Sequence, residues 1–176
     1  MFGLTGYCFK KLIHGNRNTL MMRFALLGLA CLVILSGCSL DSVFRSDKPV
    51  SREMAAKVIS LPLPVSAKDI YYYTHSEGMV YEGFFRFKVN SEDIKKTIEN
   101  ITAEIAPGVG YDTVSVGNDR WKDLLGDSLK EANVSPPMEW WDIYKIKNGY
   151  CCSSKQGTLN IFVNVSDNIV YVFRTD

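Results

Sequence analysis

Hydrophobic and polar positions in this chain fall into three regimes. Residues 24–35 are apolar almost without a break. Residues 39–52, SLDSVFRSDKPVSR, carry no period and are rich in Ser and charge. From residue 53 onward the pattern becomes regular and alternates between the two-residue period of strands and the 3.6-residue period of helices.

The periodic part predicts its own elements. Glu53 to Ser60 reads as a short helix, stopped by Leu61-Pro62-Leu63-Pro64, because a residue before proline is pushed to extended geometry. Asp69 to Ser76 reads as a tyrosine-rich strand, followed by the turn signal Ser76-Glu77-Gly78. In Val80 to Val89, Tyr81, Gly83, Phe85, Phe87 and Val89 share one face, and Glu82, Phe84, Arg86 and Lys88 the other. That alternation predicts a strand with one buried and one wetter face, paired with its predecessor as a hairpin.

Asn90 or Ser91 then caps a helix in which Ile94, Ile98, Ile101 and Ile105 form a stripe and Pro107-Gly108 marks the end. Tyr111 to Val116 is a candidate short strand. Asn118 or Asp119 opens a second helix to about Lys130, with Trp121, Leu124, Leu125 and Leu129 on its apolar side. Pro136-Pro137 breaks the chain. Asp142 to Cys152, Thr158 to Val165 and Ile169 to Thr175 read as three strands joined by short turns, a meander. The expected fold is α+β: an antiparallel sheet of about five to six strands with two helices packed on one face.

The apolar run at the front is too short to span a bilayer: twelve residues, Phe24 to Leu35, precede Ser36-Gly37, where about 18–20 are needed. It has no polar face, so it is not a core helix. Its length, the basic residues before it and the small residues at its end match a secretory signal. Leu35-Ser36-Gly37-Cys38 places Leu three before, and small residues directly before, a cysteine. This resembles the lipobox of bacterial membrane lipoproteins, a likeness confined to the first forty or so residues. Cys31 does not fit, because Leu29 stands where a small residue is needed.

The resemblance implies a signal peptide at 1–37, removed by lipoprotein-processing enzymes after the Cys38 thiol receives diacylglycerol. Met21-Met22-Arg23 makes a compact basic start, so Met21 or Met22 is a candidate for the true translation start. Two or three acyl chains, each buried CH₂ contributing about 0.8 kcal/mol, hold a protein on a membrane essentially permanently. Residues 38–52 then read as a lipidated tether of roughly 20 Å root-mean-square span, and 53–176 as a single α+β domain. Ser39 stands where an inner-membrane lipoprotein tends to have Asp. By resemblance, the anchor belongs on the outer membrane, facing the periplasm, if the source has two membranes.

Charge adds one exclusion. Four of the 20 basic residues and none of the 19 acids precede Cys38, which leaves a mature charge of about −3. That balance gives no reason to expect a nucleic-acid partner. After cleavage the remaining cysteines besides Cys38 are Cys151 and Cys152, adjacent in a predicted strand and facing opposite sides. A strained vicinal disulfide, an exposed thiol and two structural residues are all open. The spacing is not C-x-x-C.

Chemistry-bearing patterns are sparse. His75, the one histidine after Cys38, has no evident relay partner or metal-ligand spacing. Asp119, Asp123 and Asp127 share a helix face, as an acidic stripe or a weak cation site. Trp140, Trp141, Tyr71 and Tyr73 are candidates for a glycan- or peptide-binding surface, or for core. No cofactor motif is present. Two functions compete: a non-catalytic envelope module binding a protein or cell-wall ligand, and a carboxylate-dependent hydrolase such as a glycosidase. The hydrolase would need two of Glu77, Glu82, Glu139 and Asp142 facing each other across a cleft.

Overall fold

The computed structural model describes residues 41–132 and 137–175. The expected signal peptide, the expected lipidation at Cys38 and the candidate starts at Met21 and Met22 lie outside the described residues. In chain order the elements are β1 (Ser42–Arg45), α1 (Arg52–Ala55), β2 (Lys68–Glu77), β3 (Val80–Lys88), a 3₁₀ turn at Ser91–Asp93 running into α2 (Ile94–Ile105), β4 (Tyr111–Ser115), α3 (Asp119–Glu131), a 3₁₀ turn at Ile143–Lys145, β5 (Gly149–Ser154), β6 (Leu159–Asn164) and β7 (Ile169–Thr175).

The strands make one antiparallel sheet in the order β1-β2-β3-β7-β6-β5-β4. The α+β class is as the sequence predicts. The sheet has seven strands rather than five to six. The strand outside the expectation is β1, SVFR, which pairs with β2 through Ser42↔Ser76, Val43↔His75, Phe44↔Thr74 and Arg45↔Tyr73. A four-residue edge strand covers no core, so it needs no alternation to betray it. Val50 also bridges to Ile70. The segment expected as a 38–52 tether is therefore structured over much of its length.

The hairpin and the C-terminal meander follow the expected pairing. Successive antiparallel pairings across β7, β6 and β5 leave β3 and β4 parallel. Helix α2 makes the crossover between them. Asn118 caps α3, its side chain accepting from the Arg120 N–H. Asn90 makes no such bond, since a 3₁₀ turn precedes α2.

The two helices lie on opposite faces, which corrects the expected single helical layer. One core holds Phe85, Phe87, Cys152, Ile161, Val163, Val170 and Val172 with Ile94 and Ile101 of α2. The other holds Phe84, Cys151, Phe162, Tyr171 and Phe173 with Trp121 of α3 and the 138–146 loop. Neighbouring residues of one strand enter different cores, as a pleated strand requires. The alternation read in β3 is real, but its wetter face is covered too: Phe84 is as buried as Phe85. Every residue of β6 is buried. The expected strand from Asp142 also shortens. Ile143 and Ile146 are buried in the second core from a 3₁₀ turn, and pairing starts at Gly149.

Candidate functional site

The strongest grouping of polar chemistry crosses the α3 face of the sheet. Tyr71 of β2, Arg86 of β3 and Tyr171 of β7 are register partners in a row. The Arg86 guanidinium carbon sits 5.3 Å from the Tyr71 ring centre and 5.8 Å from that of Tyr171, flanked by both rings. Asp142 reaches this row from the loop above. Its Oδ1 accepts a 2.6 Å hydrogen bond from the Tyr171 hydroxyl and lies 4.0 Å from Arg86 Nε. Its Oδ2 is 3.3 Å from Lys145 Nζ. The Arg86 side chain keeps 16% of its exposure and that of Asp142 25%.

Trp140 and Trp141 roof the group. Trp140 stacks on Tyr71 at 5.7 Å between centres. Trp141 meets Phe84 edge-on at 5.1 Å and Tyr171 at 5.6 Å. Both tryptophans and Tyr73 are buried, and Tyr71 is partly covered. The aromatics expected as a binding surface are thus mostly interior. Adjacent tryptophans both turn inward because they sit in a loop, where strand alternation does not apply.

The electrostatics make this a fastening rather than a reactive centre. Burial, and then the bond to the Asp142 carboxylate, push the Tyr171 hydroxyl well above the ordinary phenol range. It stays protonated and acts as a donor. Asp142 is engaged by three partners and holds the 138–146 loop onto the sheet.

The other candidates disperse. Glu77 and Glu139 are exposed, and Glu82 is half-buried opposite His75 in the hairpin. His75 Nε2 lies 2.8 Å from Oδ1 of Asp41. Asp119 pairs with Lys122 at 2.9 Å, and Asp123 and Asp127 face solvent, so the acidic stripe is a solvated helix face. Among the described residues no cluster of His, Cys, Asp or Glu could hold a metal.

Cys151 and Cys152 form no disulfide and are buried, one in each core. Burial pushes both thiols up, Cys151 the further because it is the more deeply buried, with the Cys152 charge adding to it. Each adds a buried side chain to its core.

One cleft, of about 450 Å³, borders the roof and is lined by residues that include Leu129, Lys130, Met138 and Trp141. Two others lie elsewhere. One of about 420 Å³ is lined by Lys68, Lys88, Asn90, Ser91, Glu92 and Asp167. A second, of about 460 Å³, is lined by residues that include Ser51, Arg52, Val65 and Asp69. Both are open to solvent and mix the two signs of charge. Neither is lined by Glu77, Glu82, Glu139 or Asp142. Sequence reasoning missed Arg86 as a site residue. Its signal was a cation on a strand whose neighbours are aromatic. No helix among the described residues is long and apolar enough to cross a membrane. Compared with known proteins, the chain matches no family model, no curated protein and no solved structure.

Proposed function

We propose that this protein is a bacterial envelope lipoprotein: a small α+β module, non-catalytic, held on a membrane by lipid at Cys38 and displayed to bind an envelope protein or a cell-wall ligand. The observation that carries the reading is Leu35-Ser36-Gly37-Cys38 at the end of the apolar run. In support of a binding rather than a hydrolytic role, Asp142 is tied to Tyr171, Arg86 and Lys145. Glu139 stands exposed on a loop that is not part of the β2–β3 hairpin carrying Glu77 and Glu82.

Labelling cells with a tagged fatty acid tests the anchor. The wild-type protein takes up label and migrates as the shorter, processed form. Cys38→Ser remains unlabelled and unprocessed. Equal labelling of the variant refutes the assignment. The membrane address is tested on a density gradient. With Ser39 beside the lipid, the protein is expected among outer-membrane markers, and Ser39→Asp is expected to move it to the inner membrane. Recovery of the wild type with inner-membrane markers, unchanged by Ser39→Asp, removes the outer-membrane assignment.

A further inference from the structure

Exposed apolar side chains collect at one corner of the sheet. Met79 is 98% exposed at the turn between β2 and β3, and Val80 is 57% exposed beside it. Val43 and Phe44, on the adjoining edge strand β1, are 53% and 54% exposed. The register joins these residues. Ser42 pairs with Ser76 and Glu77 with Val80, so β1 begins next to the hairpin tip. Val43 shares a face with Val80, and Phe44 points to the other face. The corner is therefore apolar on both sides and at its point.

The chain enters the fold at the same corner. Asp41 is pinned to β2 by the 2.8 Å contact with His75. Only Ser39 and Leu40 separate it from Cys38, three chain steps with a reach of at most about 11 Å. Strand β2 has ten residues, so its far end at Lys68 lies about 30 Å from Glu77. A lipid at Cys38 therefore brings the hairpin corner, not the opposite end, to the bilayer surface. The polar groups of the corner are Asp41 with His75, Glu77, Glu82 and Arg174. They are mostly acidic and give no basic patch for anionic headgroups. The contact suits the apolar–headgroup boundary itself.

Resting on the reading of Cys38 as the lipidated residue, we propose that the β2–β3 hairpin tip and edge strand β1 form a membrane-contacting corner. Met79, Val80, Val43 and Phe44 enter the interface of the bilayer that holds the lipid. The bilayer thereby covers an apolar strand edge that would otherwise be open to pairing with another chain, and it orients the two-faced domain rather than leaving it on a loose string.

The test uses the full protein, matured in cells, purified from membranes and reconstituted into uncharged phosphatidylcholine vesicles. Met79→Cys, and separately Val165→Cys at the opposite end of the sheet, carry an environment-sensitive dye. Cys151 and Cys152 are buried and do not compete for it. Lipid-borne quenchers placed near the headgroups are expected to quench the dye at residue 79 at least threefold more than at residue 165. The mass of the same sample reports whether Cys38 carries lipid. Equal quenching at the two positions in protein of lipidated mass overturns the corner and leaves the anchor standing. An unlipidated mass removes the anchor and the corner with it. Shielding of the dye at residue 79 that is the same with and without vesicles assigns the corner to a second copy of the chain and also overturns the proposal.

Discussion

The hydroxyl of Tyr171, on central strand β7, donates a 2.6 Å hydrogen bond to Asp142, 29 residues earlier in the chain. The bond ties the 138–146 loop, which carries Trp140 and Trp141, to the middle of the sheet. Tyr171→Phe removes the donor, keeps the ring against Trp141, and leaves Asp142 short of a partner in a half-buried place. A hydrogen bond to a charged group contributes about 1.5–3 kcal/mol. The variant is expected to lose that amount in urea unfolding, with the slope unchanged. A loss below about half a kcal/mol would show that water replaces the hydroxyl.

The isoleucine stripe of α2 is graded. Ile101 is fully buried against the sheet, whereas Ile98 is only partly covered. Ile101→Ala is expected to cost about 2–5 kcal/mol through lost burial and the cavity left behind. Ile98→Ala is expected to cost clearly less. Equal losses would mean that the helix sits rotated from the orientation described.

Two glycines respond in opposite ways. A Cβ on Gly149 would fall on the carbonyl oxygen of Val163 in the neighbouring strand and 2.9 Å from Cγ2 of Ile146. Backbone cannot swing aside as a side chain does. Gly149→Ala is expected to destabilise by about 1–3 kcal/mol or more. A Cβ on Gly126, inside α3, meets nothing within 4 Å. Gly126→Ala is expected to stabilise by about 0.5–1 kcal/mol, through helix propensity. Thermal unfolding of the two variants beside the wild type checks both signs.

Cys151 and Cys152 titrate above the ordinary thiol range, and Tyr73, Tyr111, Tyr150 and Tyr171 above the ordinary phenol range, all chiefly through burial. In each case the folded state holds its proton to higher pH than the unfolded chain does. The stability they contribute is full below the unfolded values. It falls once pH passes about 9 for the thiols and about 10 for the phenols. Urea midpoints are therefore expected to decline from about pH 9 upward. Neither thiol should react with a thiol reagent at pH 8 until the protein is denatured, when both should. Fast reaction of Cys152 in the native state would show that its cover opens.

Sequence pattern alone determined the local structure of the periodic region. The β2–β3 hairpin, the C-terminal meander and the isoleucine helix are legible because period-two and period-3.6 hydrophobicity are written residue by residue. The tyrosines and tryptophans were legible as unusual, but their side was not. Burial of Trp140 and Trp141 depends on a loop whose path is held by Asp142 reaching Tyr171. Edge strand β1 was illegible because four residues that pair along one edge have no periodic signature.

The layer order was decided only by the tertiary structure. An amphipathic helix announces that it has an apolar face, not which side of a sheet receives it. The α2 crossover from β3 to distant β4 places one helix on each side, and this sends Phe84 and Phe85, neighbours in sequence, into separate cores. The Arg86 site has the same origin. Its rings and its carboxylate come from β2, β7 and a loop, so only register brings them together.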